Sequence, residues 1–441
     1  MNKAPRTKRL LAAAGVVLIV LAAAAAAGAA RLGGGAPASR GHAQDSKLEI
    51  WCWSGATDAL KAVDAGFSRA HPDIEIKYTQ LQPADLYQKL QLAVAAGSGF
   101  PDISCIEDSH LYQVVKLGPL ADITSHVRPY LKKIAAPFKW DAARRNGRYY
   151  AMPWDAGPLV LFYRRSVFRN AGVKASSIQT WSDYFRAAQT IKRKTGVAMW
   201  QNSKAHNDGR LFESLLWQQG LGYVDAQGRV IIDKNPKILA TLEFMGKFWK
   251  AGLATEPTPW TDPWYNEIKG AKVATLPMAQ WMSIFLKSWL APKTSGDWGV
   301  TLLPAWNKGG ARSANDGGSA LGIFKSSDQR DAAWTYIQYH LGRADSQAEI
   351  YKKTDYFPSL KAAFSTPYVR QPDPYYAGEK VHLLFKKALG LIPKAHVYST
   401  DYQQMNSLLS TEIQNYALGK KSARKALADA ANAIRARTGR H

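Results

Sequence analysis

The chain has 441 residues, of which 46% are hydrophobic and 21% are charged, and its formal net charge is +24. A chain of this length exceeds one typical domain, so two domains or lobes are expected. The composition is that of a globular protein with a core, and the sequence has no long Pro/Ser tracts, sustained heptads or internal repeats. These features exclude a disordered chain and a solenoid.

The N-terminal segment has the pattern of an export signal. Four basic residues occur before position 10, an uncharged apolar run extends from Leu10 to Ala30, and small residues end the run at Ala27-Gly28-Ala29. The run also reaches the ~20 residues that span a bilayer, so an uncleaved anchor remains the alternative. We assign residues 1–30 to a signal peptide or N-terminal anchor and 31–46 to a linker. The remaining chain is expected in the periplasm or another extracytoplasmic space.

The basic charge does not indicate a nucleic-acid partner. Residues 1–43 carry six basic residues and no acidic ones, so their removal leaves a formal charge of +18. The remaining Lys and Arg residues are scattered and form no long stripe on any predicted helix. A solvated basic surface facing an anionic membrane is the simpler interpretation, and steering of an anionic ligand is the alternative.

Two cysteines, Cys52 and Cys105, lie in apolar segments that are predicted to be strands. Buried free thiols are the favoured interpretation, because free cysteine packs as a small hydrophobic residue. Export to an oxidising compartment permits a disulfide between them, which is the alternative.

Strands and helices alternate from residue 48 onward. Strands are predicted over 48–53, 74–78 and 101–106, and the segments between them carry apolar residues at intervals of three and four. This order favours a parallel sheet with crossover helices. Such sheets bind ligands at the carboxyl ends of their strands, which points to residues 53–56 and 107–110.

The second half of the chain shows further elements. Leu159 to Tyr163 is predicted as a strand, and Thr180 is predicted to cap a helix that carries Asp183 in its first turn and ends at Gly196. An Ala-rich stretch over 422–437 is predicted as a final helix.

Several motifs occur in an order that resembles one family. They are Ile50-Trp51, Gly97 to Asp102, Gly147 to Tyr163, Phe168 to Val173, Thr180-Trp181, Gly317-Gly318, Ala333-Trp334 and Thr354 to Ser359. Together they resemble the extracellular solute-binding proteins of ABC importers, the sugar-type group that includes maltose-binding protein. The resemblance extends from Lys47 to the C-terminus.

This resemblance implies an α/β, two-lobed periplasmic-binding-protein fold of type II, in which each lobe is a mainly parallel sheet flanked by helices. Lobe one would comprise 47–154 plus 305–357, and lobe two would comprise 155–304 plus 358–441. The protein would close by hinge bending around a carbohydrate and deliver it to the importer's permease subunits. A monomer without cofactor, bound metal or catalytic residue is expected.

A sugar site needs aromatic rings for the C–H faces of the sugar and polar side chains for its hydroxyls. Trp281 aligns with a ring-stacking position of the family, and the two glycines would allow close backbone approach. The predicted ligand-binding residues are Trp53, Ser54, Asp108, Trp154, Asp155, Trp217, Trp264, Gln280, Trp281, Gly317, Gly318 and Tyr356.

Other interpretations remain open at this stage. Trp217 and Trp281 fit core packing as well as ligand contact, and Asp155 fits a brace at the hinge. A receptor for an anionic or polyol solute, such as a glycerol phosphodiester or sugar acid, is the main functional alternative; Arg148, Arg164 and Arg210 are its candidate anion-binding residues. A more remote alternative is a secreted carbohydrate-active enzyme that uses the adjacent acids Glu107 and Asp108, of which Asp108 is favoured as the cleft residue.

Overall fold

The structure is a computed structural model that describes residues 46–393 and 398–441. The predicted signal peptide or anchor and all but the last residue of the predicted linker lie outside these residues. Within them, no helix is both long enough and apolar enough to cross a membrane.

The strands and helices follow one another along the whole described chain. The strands are β1 Ser46–Cys52, β2 Ile74–Gln80, β3 Ile103–Glu107, β4 Arg144–Arg145, β5 Arg148–Tyr149, β6 Ala151–Pro153, β7 Leu159–Arg164, β8 Trp200–Gln201, β9 Ala254–Thr255, β10 Thr275–Ala279, β11 Trp298–Leu302 and β12 Ser319–Ile323. The α-helices are α1 Ser54–Ala70, α2 Pro83–Ala96, α3 Asp108–Leu117, α4 Thr124–Val127, α5 Lys139–Ala143, α6 Arg165–Ala171, α7 Trp181–Thr195, α8 Arg210–Trp217, α9 Pro236–Lys250, α10 Asp262–Lys269, α11 Met282–Phe285, α12 Arg330–Leu341, α13 Ala344–Thr354, α14 Val381–Gly390, α15 Tyr402–Ala417 and α16 Ala423–Thr438.

Local sequence signals explain several of these boundaries. Thr180 and Asp183 form the predicted capping box, in which each side chain accepts a hydrogen bond from the other residue's backbone N–H. Gly196 ends the same helix in the left-handed conformation. Ser422 caps α16 by accepting from the N–H of Lys425. The helices predicted at these positions are therefore confirmed.

The first sheet contains five strands in the order β2-β1-β3-β12-β6. β1 pairs in parallel with both β2 and β3, as predicted, whereas β12 is antiparallel to both β3 and β6. The second sheet has the order β10-β7-β11 and is antiparallel throughout. The expectation of a mainly parallel sheet in each half is therefore wrong for the second sheet, because strand direction there depends on pairings between segments more than 100 residues apart.

Cys52 and Cys105 are joined by a disulfide, with their Cα atoms 5.0 Å apart. The favoured prediction of free thiols is wrong. Residues 50 and 51 pair with residues 103 and 104 in the parallel β1–β3 ladder, so the next position in each strand brings the two sulfur atoms together.

The chain passes from one sheet to the other between β6 and β7 and returns between β11 and β12. A third passage separates α13, which packs on α1, from α14, which packs on β7 and β11. One hydrophobic core surrounds the first sheet, and two further cores pack around the second. The residue boundaries of the two lobes stay a prediction. The candidate site lies where the connections between the two sheets meet the edge of the first sheet.

Candidate functional site

The site is built on the carboxyl ends of two neighbouring parallel strands. β1 ends at Cys52 and is followed by Trp53, and β3 ends at Glu107 and is followed by Asp108. Since the strands are parallel neighbours, these residues emerge at the same edge of the sheet. The disulfide lies directly behind them.

A buried polar cluster connects this edge to the chain passages between the sheets. Asp108 is only 3% exposed and forms an ion pair with Lys139 of α5. Asp155 accepts hydrogen bonds from the backbone N–H and the hydroxyl of Ser319. Gly318 fits between these groups: a Cβ there would lie 2.6 Å from Lys139 Nζ and 3.0 Å from Asp108 Oδ2.

Burial perturbs the protonation of this cluster. Desolvation raises the pKa of Asp108 to about 6, although the ammonium group of Lys139 opposes the shift. Desolvation also raises the pKa of Asp155, again against the charge of Lys139. The closely packed carboxyl groups thus hold their protons more tightly than isolated acids do.

Glu107 is the more accessible member of the adjacent acid pair, with 39% of its side chain exposed. Its backbone N–H donates to the Tyr87 hydroxyl, which lies 3.3 Å from Glu107 Oε2. Desolvation raises its pKa, and the charge of Arg210 opposes that shift. Asp108, which the sequence favoured, is the buried acid.

The opposite wall of the site combines a charged pair with tryptophan rings. Arg210 Nε lies 2.8 Å from Asp316 Oδ1, and its guanidinium group lies over the rings of Trp281 and Trp260 at 5.1 and 5.5 Å. The indole N–H of Trp281 donates to the Asp316 carbonyl at 2.9 Å. These bonds hold the half-buried Trp281 ring in place.

A cavity that is open to solvent adjoins this wall. Its lining includes polar groups from Asn202, Asn207 and Asp208 and aromatic rings from Trp260 and Trp264. Ligand pockets for small molecules combine apolar walls with a few such polar groups.

Carboxyl groups outnumber basic groups in the site. Six acidic side chains interact electrostatically across it, namely Glu107, Asp108, Asp155, Asp208, Glu213 and Asp316, together with the two basic residues Lys139 and Arg210. Both basic residues are already paired, with Asp108 and Asp316 respectively. Among residues 46–393 and 398–441, no group of three or more His, Cys, Asp or Glu side chains is placed to hold a metal ion.

Comparison with protein families identifies the chain. The model of the family described as "Bacterial extracellular solute-binding protein" matches residues 53–345, which is more than half of the chain. The chain belongs to this family. Its place of action is accordingly outside the cytoplasm.

Two curated relatives of this solute-binding protein are each 27% identical to it. An arabinooligosaccharide-binding protein of Bacillus subtilis is 27% identical over 351 residues, which cover 77% of this chain and 79% of the relative. A lactose-binding protein of Rhizobium radiobacter is 27% identical over 357 residues, covering 79% and 83%.

Solved structures show the same fold. The ABC-transporter-associated binding protein of B. animalis subsp. lactis, in complex with beta-1,6-galactobiose, has a TM-score of 0.77 at 24% identity and covers 89% of this chain and 98% of that one. The sugar-binding protein MalE of Xanthomonas citri has a TM-score of 0.73 at 22% identity and covers 89% and 98%. The solute-binding protein therefore has the two-lobed α/β fold of the MalE-like proteins.

The structure brings several predicted site residues together. Trp154 stacks on Tyr356 at 4.4 Å. Trp53 is partly buried at the N-terminal end of α1 and packs against the first core. Ser54 is exposed at the start of α1, next to Trp53. Gly317 lies between Asp316 and Gly318 and approaches the Trp281 ring.

Other predicted residues lie deeper. Trp217 is buried between the rings of Phe138 and Tyr398, in the position that core packing predicts. Gln280 is fully buried and donates to the Asp355 carbonyl. Trp264 is mostly buried but lines the cavity. Contact of these three residues with a ligand stays a prediction.

Sequence reasoning missed Lys139 and Asp316. Asp316 directly precedes the Gly317-Gly318 pair, so its position was a usable signal. Lys139 carries no such signal, because only the folding of α5 against α3 brings it to Asp108.

The three arginines named for an anionic solute lie in different surroundings. Arg148 is exposed and pairs with Asp122, and Arg164 is buried against Asp297 and the Trp298 ring. Only Arg210 faces the site.

Proposed function

We propose that this solute-binding protein is the substrate-binding component of an ABC importer and captures a carbohydrate. The observation that carries the proposal is the geometry of Trp281, whose ring is fixed by Asp316 and stands beside Arg210, a residue that lines the open cavity. A fixed indole ring offers a stacking surface to the C–H face of a sugar. The neighbouring charged and amide groups provide donors and acceptors for its hydroxyls.

The relatives support a carbohydrate as the solute. Two of them are named for binding arabinooligosaccharides and lactose, and one solved relative holds beta-1,6-galactobiose. The polar lining of the cavity here, with Asn202, Asn207 and Asp208, suits a neutral ligand that has many hydroxyls.

The charge balance weighs against an anionic solute. The two basic groups of the site are not free to bind an anion, because Lys139 and Arg210 are already paired with Asp108 and Asp316. Displacing either pair would leave a carboxylate near the ligand's own negative charge, which is unfavourable in a partly desolvated site.

Binding without catalysis is part of this proposal. Asp108 and Asp155, the deepest acids of the site, are held by Lys139 and by Ser319. Asp108 Oδ1 has no hydrogen-bond partner in the part of the chain that the structure describes. It is therefore suited to accept from a ligand hydroxyl, as the sequence predicted for this residue.

Closure around the ligand would follow from the connections between the two sheets. The site draws Glu107 and Asp108 from the first sheet's edge and Arg210 and Trp281 from elements around the second, so a bound sugar contacts both halves only when they are closed. The permease would then recognise the closed monomer. The predicted lobe boundaries, 47–154 plus 305–357 and 155–304 plus 358–441, belong to the same proposal.

A ligand screen tests the proposal. The purified protein is heated with mono-, di- and oligosaccharides, polyols, glycerol phosphates and sugar acids. A ligand that binds only the folded state raises the melting temperature, and the rise grows with ligand concentration. At a free ligand concentration of about 100 times Kd, the free energy of unfolding increases by about 2.7 kcal/mol. We expect neutral saccharide hits that are weakened at least tenfold in Trp281→Ala and retained in Trp281→Phe.

The matched control is Trp306→Ala, which removes a partly buried tryptophan that packs on Trp181 and Phe244 and does not line the cavity. It should lower stability without changing saccharide affinity. Hits confined to anionic compounds would instead support the anionic-solute alternative, and no hit across the panel would contradict the receptor function.

A further inference from the structure

A continuous track of aromatic rings extends from the site to the protein surface. Trp281, Phe285 and Trp289 follow at intervals of four along α11 and the π-helical turn Leu286–Leu290. Successive ring centres lie 5.6 and 5.5 Å apart. The rings at these three positions therefore share one side of the helix, while Leu286 and Leu290 face the core.

A second row of rings lies beside the first. The ring centre of Trp260 lies 5.9 Å from that of Trp281 and 5.0 Å from that of Trp264. The ring centre of Tyr265, on α10, lies 5.0 Å from that of Trp289. Trp260 has a φ of 64°, a backbone conformation that bulky residues rarely adopt. Two helices and a strained loop thus combine to form one aromatic surface.

The outer end of the track is open to solvent. Trp289 is 47% exposed, and Phe285 and Tyr265 are only partly buried. An isolated exposed apolar residue needs no explanation, but a contiguous aromatic surface marks a binding region. This one is continuous with the cavity, which Trp260 and Trp264 line.

We propose that this aromatic track binds the outer units of an oligosaccharide whose inner end is held at Trp281. The inference rests on the proposed carbohydrate function and adds a ligand class to it: chains of more than two sugar units. Each successive aromatic ring offers a stacking face to a further sugar unit of an oligosaccharide that leaves the cleft. A monosaccharide or disaccharide would occupy the inner end without reaching Trp289.

Calorimetric titration of a length series tests the inference. Arabino-, galacto- and malto-oligosaccharides of two to six units are titrated into the wild-type protein, Trp289→Ala and Trp289→Phe. The control is Leu383→Ala, an exposed apolar residue on α14. Trp289 also packs on Phe285 and Tyr265, so Trp289→Ala should lower the melting temperature modestly, and all affinities are compared at a temperature at which every variant is folded.

We expect affinity to increase with chain length in at least one series. Trp289→Ala should remove that gain, weakening the longer members roughly three- to tenfold while leaving the disaccharide unchanged. Trp289→Phe should retain most of the gain, and Leu383→Ala should retain all of it.

The outcomes separate this inference from the function on which it rests. Absence of binding by every saccharide would overturn both. Trp281-dependent binding of short saccharides that does not improve with length, or improves equally in Trp289→Ala, would overturn the track alone. In that case the exposed rings would be assigned to a protein partner.

Discussion

The disulfide between Cys52 and Cys105 is expected to supply a large share of the protein's stability. It joins two adjacent parallel strands and closes a loop with a sequence separation of 53 residues. In the chain-entropy model, a cross-link of this length removes about 14 cal/mol/K from the unfolded state, or roughly 4 kcal/mol at 25 °C. Net stabilities of domains are of order 5–15 kcal/mol, so the loss would be readily measured.

The double variant Cys52→Ala/Cys105→Ala tests this value. Its free energy of unfolding, from denaturant titration, should be lower than that of the oxidised wild type by roughly 4 kcal/mol. Reductant should lower the wild-type stability to about that of the variant and should leave the variant unchanged, which serves as the control.

Two results would refute the reasoning. One is a difference below about 1 kcal/mol between the variant and the oxidised wild type, which would show that the loop closure adds little. The other is the detection of two free thiols in the unfolded, unreduced protein, which would show that no cross-link exists.

Three further perturbations follow from buried groups. Desolvation raises the pKa of Glu213 to about 8, so the folded state keeps a proton that the unfolded state releases above its ordinary pKa of 4.5. Wild-type stability should therefore fall as pH rises from the unfolded pKa to the folded pKa of Glu213, by up to about 1.4 kcal/mol per pH unit. The stability of Glu213→Gln relative to wild type should rise from about pH 5 to 8. A difference between the two proteins that stays constant over this range in thermal melts would contradict the prediction. Gly318→Ala should destabilise the fold by about 1–3 kcal/mol, because residue 318 has a φ of +102° and the added Cβ would collide with Lys139. A denaturation midpoint equal to that of wild type would disprove the collision. Arg164→Met should cost about 1–3 kcal/mol, because Asp297 and the carbonyl of Ile268 lose a buried donor. Calorimetry of the folded variant should show unchanged ligand affinity, and a lost affinity would place Arg164 in the site after all.

Local sequence patterns were sufficient for the elements of the fold. The strands β1, β2 and β3, the capping box at Thr180, and the final helix follow from periodicity and capping, which depend on residues a few positions apart. The order of weak motifs also identified the family and, with it, the two-lobed fold.

The sequence alone could not separate site residues from core residues. Trp217 and Trp281 each stand beside a glutamine, yet the first packs between two rings in the core and the second lies against Arg210, which lines the cavity. Likewise Glu107 and Asp108 are adjacent, and their exposure differs because a strand ends and a helix begins between them.

The tertiary structure decided the pairings that build the site. Arg210 and Asp316 are separated by 106 positions, the two cysteines by 53, and Asp108 meets Lys139 only after α5 packs against α3. The sequence by itself determined which segments become strands and helices, because those preferences arise from neighbouring residues. Which carboxyl, ring or sulfur atoms meet depends on how distant segments pack, and no local pattern encodes that geometry.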